Sequence, residues 1–545
     1  MAPKKPTTGA TPGGFRHRLR RMIPWGQASL SWAKHQAQRV PGGKAVAARW
    51  QRLSTPQKQA AIGAGGLLFA GLVFLLLWSR PLGEDALEQA VVSIEVTSQH
   101  GDWATPWNHQ ARERATGSGF VIAPGEVLTN AHVVSDAKQI ILRQGGKDTA
   151  YFAKVAFIAH DCDLALLRVD DPAFARVTPL KLGGLPTLQT NVRTYGYPAG
   201  GEKLSRTEGV VSRIEFNRYI HSGADLHLSI QTDSAINPGN SGGPVLQGGK
   251  VVGVAFQTNT QLSSVGFFIP VPVIRRFLDD IQDGTYHGFG EMGVVTSNLE
   301  NPAYRQWLGL PSGRSGVVVD RVLPGSAAEK FVQPGDVVMA IEGDPVANDG
   351  TIAYHGHRVN FSQRAEEMQA GERVTLTLWR KKREETVLFP LSPYADSERM
   401  RNQFDHEPYY LIYAGLVFMP LDKEYLATYG NYWEQAGKNL LYHHFYKRVE
   451  KPDLPAQALV LTRVLPHPVN SAYRGMSGSI VEEINGRKVN TLQEALAALE
   501  NGRGAYTRIR LAHSHALIFI DRDDAAQAHR EILANYGIPS DRRLP

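Results

Sequence analysis

Three short segments, in a fixed order along the chain, constrain its fold more than any other feature. They are TNAHVV at Thr129–Val134, DCDLALL at Asp161–Leu167 and GNSGGP at Gly239–Pro244. Each adjoins an apolar run typical of a buried strand. They supply a histidine, an aspartate at the mouth of a strand and a serine between glycines. We therefore expect a β-rich domain that brings these distant segments together at one site.

The three side chains are the components of an acyl-transfer site. A serine hydroxyl is a weak nucleophile near neutral pH, so it needs a base, and the base needs a group that holds its tautomer. We assign Ser241 as nucleophile, His132 as base and Asp163 as its partner, the chain order of chymotrypsin-like proteases. Asp161 is the rival carboxylate. Asp163 is favoured because it directly abuts the apolar strand, and Asp161 is expected to be a solvated turn residue.

The glycines around Ser241 predict an oxyanion hole made by the backbone N–H groups of Gly239 and Ser241. Gly239 has no Cβ and can bring its backbone close to a substrate carbonyl. Gly242 and Gly243 would let the next strand, Pro244–Leu246, pass close behind the nucleophile. The alternative is an ordinary Gly-rich turn, and an isolated NSGG would favour it.

The chain resembles the HtrA/Deg family of trypsin-like serine proteases over about Asp85–Asp283. The matching segments are TGSGFVIAPGEVLTNAHVV (Thr116–Val134), YGYPAGG (Tyr195–Gly201), TEGVVSRIE (Thr207–Glu215) and GFFIPV (Gly266–Val271). The resemblance implies an all-β, double-barrel, chymotrypsin-like protease domain at 84–283. It implies that His132, Asp163 and Ser241 are catalytic and that Gly239 and Ser241 form the oxyanion hole.

The same resemblance places the specificity pocket at Ile236, Phe256 and Phe268. All three are apolar, and Ala255–Phe268 contains no acidic residue that would select Lys or Arg. We therefore expect cleavage after small or medium apolar residues, with no metal or cofactor.

A repeat follows the protease region. Gly316–Glu342 reads GVVVDRVLPGSAAEKFVQPGDVVMAIE and resembles a PDZ domain, an α+β unit that we place at 288–393. The peptide-binding loop would be Met292, Gly293 and Val294, whose N–H groups could hold a chain-terminal carboxylate. The adjacent strand edge would take an extended peptide.

A second, degenerate PDZ-like unit is predicted at 408–518, with a C-terminal tail at 519–545. Its loop triplet would be Ala414-Gly415-Leu416, but it lacks the Pro-Gly-Asp turn and carries an aromatic insertion around Tyr425–Lys451. AGLVFMPL and ILANYGIPSDR resemble Deg proteases with an atypical second PDZ domain. That resemblance implies assembly contacts, although the aromatic residues could equally form local core.

The N-terminal region predicts a membrane anchor. Residues 1–80 hold 13 Lys and Arg and no Asp or Glu, and Ala60–Trp78 is a run of 19 uncharged residues, long enough to span a bilayer. We expect a basic cytoplasmic tail at 1–59, a transmembrane helix at 60–78 and a catalytic domain in the periplasm, anchored to the inner membrane. The alternative is a mitochondrial inner-membrane protein that faces the intermembrane space.

These features together predict a membrane-anchored, ATP-independent serine endoprotease that degrades unfolded or damaged proteins outside the cytoplasm. Expected partners are unfolded proteins and C-terminal peptides, and nucleic acid is not expected because the basic tail has no binding motif. The resemblance implies at least a homotrimer, with Trp103 and Trp107 in a candidate contact region. The alternative is a membrane-tethered PDZ scaffold or chaperone with an inactive protease domain.

Overall fold

The computed structural model describes residues 84–545, apart from 146, 199–202, 259–264, 452–454 and 456, together with Ser54. Residues 82–545 form one compact unit. The predicted transmembrane helix Ala60–Trp78 lies outside the described residues, as does the predicted tail 1–59 except for Ser54.

Two closed barrels of six strands each make up the protease region, as the double-barrel prediction requires. The first contains β1 (Val91–Ser98), β2 (Glu113–Ala123), β3 (Glu126–Thr129), β4 (Ala137–Gln144), β5 (Ala150–Ala159) and β6 (Leu164–Arg168). The second contains β7 (Asn191–Gly196), β8 (Ser205–Arg218), β9 (Leu226–Thr232), β10 (Pro244–Gln247), β11 (Lys250–Thr258) and β12 (Gly266–Pro270). Closure leaves neither sheet with an unpaired edge.

Within the described residues, three α-helices accompany the barrels: α1 (Glu84–Ala90), α2 (Ala131–Val134) and α3 (Val271–Asp280). The short α2 carries His132. Helix α3 begins just after Pro270 and has a proline in its first turn, a position where the missing N–H costs nothing. Its buried residues Val273, Ile274 and Phe277 belong to the barrel core.

The first PDZ region is a twisted sheet with strand β13 (Val294–Asn298) at its edge. The same sheet contains β14 (Val317–Val322), β15 (Val337–Ile341), β16 (Asp344–Pro345), β19 (Arg373–Arg380) and β20 (Arg383–Pro390). Strands β17 (Thr351–Tyr354) and β18 (His357–Asn360) form a separate two-stranded sheet. The helices are α4 (Pro302–Trp307), α5 (Gln363–Glu366) and α6 (Ala395–Met400). Strand β13 is therefore paired on one side only, by β14.

The second PDZ region is built on the sheet order β27-β26-β24-β23-β22-β21-β28, with β25 paired to β24. Its strands are β21 (Tyr410–Tyr413), β22 (Leu416–Pro420), β23 (Leu459–Val464), β24 (Ser479–Ile484), β25 (Arg487–Lys488), β26 (Tyr506–Leu511), β27 (Leu517–Asp521) and β28 (Arg542–Arg543). Its helices are α7 (Lys423–Ala427), α8 (Tyr432–Gln435), α9 (Lys438–Leu441), α10 (Lys447–Glu450), α11 (Leu492–Glu500) and α12 (Arg522–Asn535). The boundary expected at 518 falls inside β27, and the expected tail supplies α12 and β28.

Trp103 and Trp107, which lie in the candidate contact region, are packed within the chain. Both indoles are 7% exposed and belong to the hydrophobic core of the second PDZ region. Trp103 Nε1 donates to Asp422 Oδ2 at 3.0 Å, and Trp107 meets Tyr410 edge to face at 6.2 Å between ring centroids. Burying these large apolar side chains joins the second PDZ region to the first barrel.

Candidate active site

Two hydrogen bonds join His132, in α2, to Asp163, just before β6. Asp163 Oδ2 lies 2.8 Å from His132 Nδ1, and Oδ1 accepts from the His132 backbone N–H at 2.8 Å. Asn130 Nδ2 donates to the Asp163 carbonyl oxygen at 2.9 Å. Asp163 is therefore held at a φ of +54°, with its carboxylate aimed at α2.

Burial and charge act in opposite directions on this pair. Burial would lower the pKa of His132, but the charge of Asp163 and their hydrogen bond outweigh it, and the pKa is raised. Burial would likewise raise the pKa of Asp163, yet the neighbouring imidazoles and the hydrogen bonds from His132 hold it below its usual range. The carboxylate thus favours an imidazolium at position 132, as a general base requires.

Ser241 lies in the turn between β9 and β10, and its Oγ donates to the Phe256 carbonyl at 3.4 Å. Its own carbonyl accepts from Ser118 N at 2.8 Å. The Ser118 hydroxyl donates to the Gly239 carbonyl at 2.7 Å and accepts from Tyr197 N at 2.7 Å. Strand β2 of the first barrel therefore fixes the backbone on both sides of Asn240.

The backbone around Ser241 needs glycine at several positions. Gly239 has a φ of +96°, and no described residue accepts a hydrogen bond from the N–H of Gly239 or Ser241. A Cβ at Gly242 would lie 2.0 Å from the Ser118 carbonyl oxygen, and one at Gly243 would lie 2.0 Å from that of Tyr195. At Gly242 and Gly243 the backbone therefore passes closer to its neighbours than a residue with a Cβ could.

The three residues expected in the specificity pocket are all apolar and buried. Ile236 and Phe256 are 5% and 4% exposed, and Phe268 is completely buried. The Ile236 side chain packs on Gly266, where an added Cβ would come within 2.8 Å of it. Phe256 packs against Tyr219, with ring centroids 4.7 Å apart. All three side chains belong to the same hydrophobic core cluster.

Asp161 is not the solvated turn residue expected from the sequence. It is 3% exposed, and its Oδ1 accepts from the Tyr286 hydroxyl at 2.6 Å and from the Cys162 N–H at 2.8 Å. Burial, followed by the charge of Asp161, raises the pKa of the Cys162 thiol well above its ordinary value. Asp161 is thus a buried structural acceptor, whereas the acceptor for His132 is Asp163.

Two further histidines stand beside the expected site, and no motif in the sequence marks them. The ring centroid of His221 is 6.2 Å from that of His132, and His221 Nε2 is 2.9 Å from His160 Nδ1. Burial lowers the pKa of His221 to about 4, so its ring is neutral near pH 7. Among the described residues, no cluster of His, Cys, Asp or Glu could hold a metal ion.

The loop expected to bind peptide in the first PDZ region opens into a cavity of about 490 Å³. Met292, Gly293 and Val294 line it together with β9 of the second barrel and α6. In the described part of the chain, no acceptor faces the N–H of Met292 or Gly293. Gly293 has a φ of +73°, and a Cβ there would lie 2.1 Å from Ser326 Cβ.

The corresponding loop of the second PDZ region is filled by its own chain. Asn470 Nδ2 donates to the carbonyls of Ala414 and Leu465 at 2.8 and 2.9 Å. A Cβ on Gly415 would lie 2.4 Å from that nitrogen. Strand β22, which follows the loop, is paired on both sides by β21 and β23, so it offers no free edge for strand addition.

Comparison with known families agrees with this architecture. Residues 117–254 match the trypsin-like peptidase domain, and residues 287–351 and 400–543 each match a PDZ domain family. The chain is thus a serine endopeptidase that carries two PDZ domains.

Similar relatives include "Protease Do-like 2, chloroplastic" of Arabidopsis thaliana, 36% identical over 83% of this chain and 74% of the relative. "Protease Do-like 4, mitochondrial" of the same plant is 33% identical over 80% of this chain and 81% of the relative. Among solved structures, "HtrA-type protease AlgW with decapeptide" is 24% identical, with a TM-score of 0.43 over 56% of this chain and 97% of that one. The chain belongs to the Do-like, or HtrA/Deg, family of serine proteases.

The localisation expected from the sequence is wrong. The similar relatives are named as chloroplastic or mitochondrial proteases, not as bacterial inner-membrane proteins with a periplasmic catalytic domain. None of the helices in the described residues is long and apolar enough to cross a membrane. A basic N-terminus without acidic residues suggested a bacterial signal anchor, but the same composition is also typical of an organellar targeting sequence.

Proposed function

We propose that His132, Asp163 and Ser241 are the catalytic residues of this endopeptidase. The observation that carries the proposal is the pair of hydrogen bonds that Asp163 accepts from the ring and the backbone of His132, together with a serine turn whose glycines are sterically required. The Nδ1–H of His132 donates to Asp163, which leaves Nε2 free to accept a proton.

In the reaction, the Ser241 hydroxyl turns from the Phe256 carbonyl toward His132 Nε2 and loses its proton as Oγ attacks the scissile carbonyl. The N–H groups of Gly239 and Ser241 stabilise the developing oxyanion. His132 then gives the proton to the leaving amine, and water releases the acyl group by the same steps in reverse.

We further propose that the substrates are unfolded or damaged proteins, cleaved without ATP after small or medium apolar residues. The burial of the apolar side chains of Ile236 and Phe256 supports this preference, because a charged P1 side chain would lose its solvation beside them. A series of peptides that differ only at P1 tests it, and preferred cleavage after Lys or Arg would contradict it.

The first PDZ domain is proposed to bind free C-termini at Met292–Val294, with β13 as the edge for strand addition. A larger assembly of at least three copies is also proposed. The described chain uses the two tryptophans internally, so other surfaces would have to make the subunit contacts.

The decisive experiment is covalent labelling with a fluorophosphonate probe and digestion of β-casein by the full chain. Wild type should be labelled at Ser241, and Ser241→Ala should lose both labelling and casein cleavage while it keeps its thermal unfolding profile. Ser514→Ala, which removes a hydroxyl from a turn of the second PDZ region, is the matched control. Labelling at another residue, or casein cleavage by purified Ser241→Ala, would contradict the assignment.

A further inference from the structure

The segment that joins the two PDZ domains reaches back to the active site. We call residues 401–405, between α6 and β21, the inter-PDZ segment. The Phe404 ring stacks on His221 at 4.2 Å between centroids and 16° between planes, and it also covers His160 at 5.3 Å. His221 in turn lies beside His132, with 6.2 Å between the ring centroids.

Asp405 of the same segment continues this contact through hydrogen bonds. Its Oδ2 lies 3.0 Å from His160 Nε2, and His160 Nδ1 lies 2.9 Å from His221 Nε2. A carboxylate only accepts hydrogen bonds, so a neutral His160 donates through Nε2–H and accepts from His221 through Nδ1. The chain Asp405–His160–His221 therefore fixes the orientation of both rings beside the catalytic histidine.

Asp405 also holds the end of the helix that carries His132. The Asp136 N–H donates to Asp405 Oδ1 at 2.6 Å, and the Asp405 N–H donates to Asp136 Oδ1 at 2.9 Å. Asp136 follows α2 by two residues, and both aspartates have positive φ, at +53° and +60°. This reciprocal pair ties the inter-PDZ segment to the backbone just beyond His132.

Further contacts attach the segment to residues 219–226, which lead into β9. Arg401 makes a bidentate ion pair with Asp225, with N–O distances from 2.7 to 3.0 Å. Asn402 donates from its backbone to the Ser222 carbonyl and from Nδ2 to the His221 carbonyl, both at 2.8 Å. At the start of this loop, Tyr219 packs on Phe256, whose carbonyl holds the Ser241 hydroxyl.

We propose that Phe404 and Asp405 are positioning residues for the protease active site, which act on His132 through His221, His160 and the end of α2. This inference rests on the proposed roles of His132 and Ser241. Under this proposal the inter-PDZ segment is part of the active site, and the protease barrels alone lack the residues that hold His221 and His160 in place.

The experiment measures kcat and KM on a short peptide and the rate of fluorophosphonate labelling, using the full chain. Phe404→Ala should lower kcat and the labelling rate by about 2- to 10-fold, the factor that an aromatic pair is typically worth, with little change in KM. Phe404→Tyr keeps the stack and should restore both rates. Asp405→Asn keeps only one of the two acceptor roles and should lower kcat in the same way.

Glu407→Gln is the matched control. Glu407 follows Asp405 by two residues, but its carboxylate is hydrogen-bonded to His109 and ion-paired with Arg543, not with His160 or His221. Equal labelling rates for wild type, Phe404→Ala and Asp405→Asn would overturn the proposal. An equal loss in Phe404→Tyr or Glu407→Gln would also overturn it, because the effect would then be general loosening. Wild type that is not labelled at Ser241 would instead contradict the proposed catalytic residues, which is a separate failure.

Discussion

His227 Nδ1 of the second barrel lies 3.0 Å from Glu366 Oε2 of the first PDZ domain, and both side chains are largely buried. Burial would lower the pKa of His227, but the charge of Glu366 and their hydrogen bond raise it to about 9. Burial raises the pKa of Glu366 more than the imidazole lowers it. The ion pair with Glu366 therefore keeps His227 protonated well above the ordinary pKa of an imidazole.

This pair predicts a pH-dependent stability. A histidine whose pKa rises from 6.5 to about 9 on folding contributes stability that is complete below pH 6.5 and is lost as the pH rises through 9. The free energy of unfolding should therefore fall over this range, by at most about 3 kcal/mol. The cost of burying Glu366 reduces that figure. Urea titrations at several pH values measure the slope, and Glu366→Gln should flatten it. An unchanged slope in that variant would show that the pair is not its source.

Asp163 and Asp161 should respond differently to loss of charge. Asp163→Asn should lower kcat by about 1,000- to 10,000-fold, because the amide favours the wrong tautomer of His132. Asp161→Asn removes a charged acceptor from the Tyr286 hydroxyl and should lower the free energy of unfolding by about 1 kcal/mol, with kcat nearly unchanged. Peptide kinetics and urea titrations separate the two effects. A large loss of kcat in Asp161→Asn, with little loss in Asp163→Asn, would make Asp161 the partner of His132.

Gly293→Ala should abolish peptide capture by the first PDZ domain, because the new Cβ would collide with Ser326 and the native φ is strained for alanine. Binding of a labelled peptide with a free apolar C-terminus is measured by fluorescence anisotropy, beside its amidated form. Gly356→Ala, at a φ of +82° but with open space around it, is the matched control and should bind normally. Binding that survives Gly293→Ala, or that does not need the free carboxylate, would place the peptide site elsewhere.

Trp103→Phe should weaken the attachment of the second PDZ domain to the first barrel. It leaves Asp422 Oδ2 without its indole donor in a buried position, a loss of about 1–3 kcal/mol in the free energy of unfolding. Burial already raises the pKa of Asp422 to about 6. Trp307→Phe, at an indole that is 76% exposed, should change the same quantity by no more than about 0.5 kcal/mol. Equal effects of the two variants would mean that the indole contact contributes no stability.

Much of the architecture could be predicted because it depends on local pattern. Apolar runs indicated buried strands, and the resemblance to the HtrA/Deg family implied the two barrels. The glycines at 239, 242 and 243 predicted a close approach of the backbone. The preference for Asp163 over Asp161 rested on adjacency to an apolar strand, and the hydrogen bonds to His132 are consistent with it. The solvated state expected for Asp161 was wrong, because its partner Tyr286 lies 125 residues away.

The sequence by itself determined the elements and the chemistry of each short motif, because side-chain periodicity and backbone sterics act between near neighbours. Only the tertiary structure decided that Trp103 packs on the second PDZ domain, that Asn470 fills its loop, and that Phe404 covers His221. Each of these contacts joins residues far apart in the chain, where no repeating pattern links one partner to the other. Their energies come from burial and hydrogen bonds that exist only after the domains have packed together.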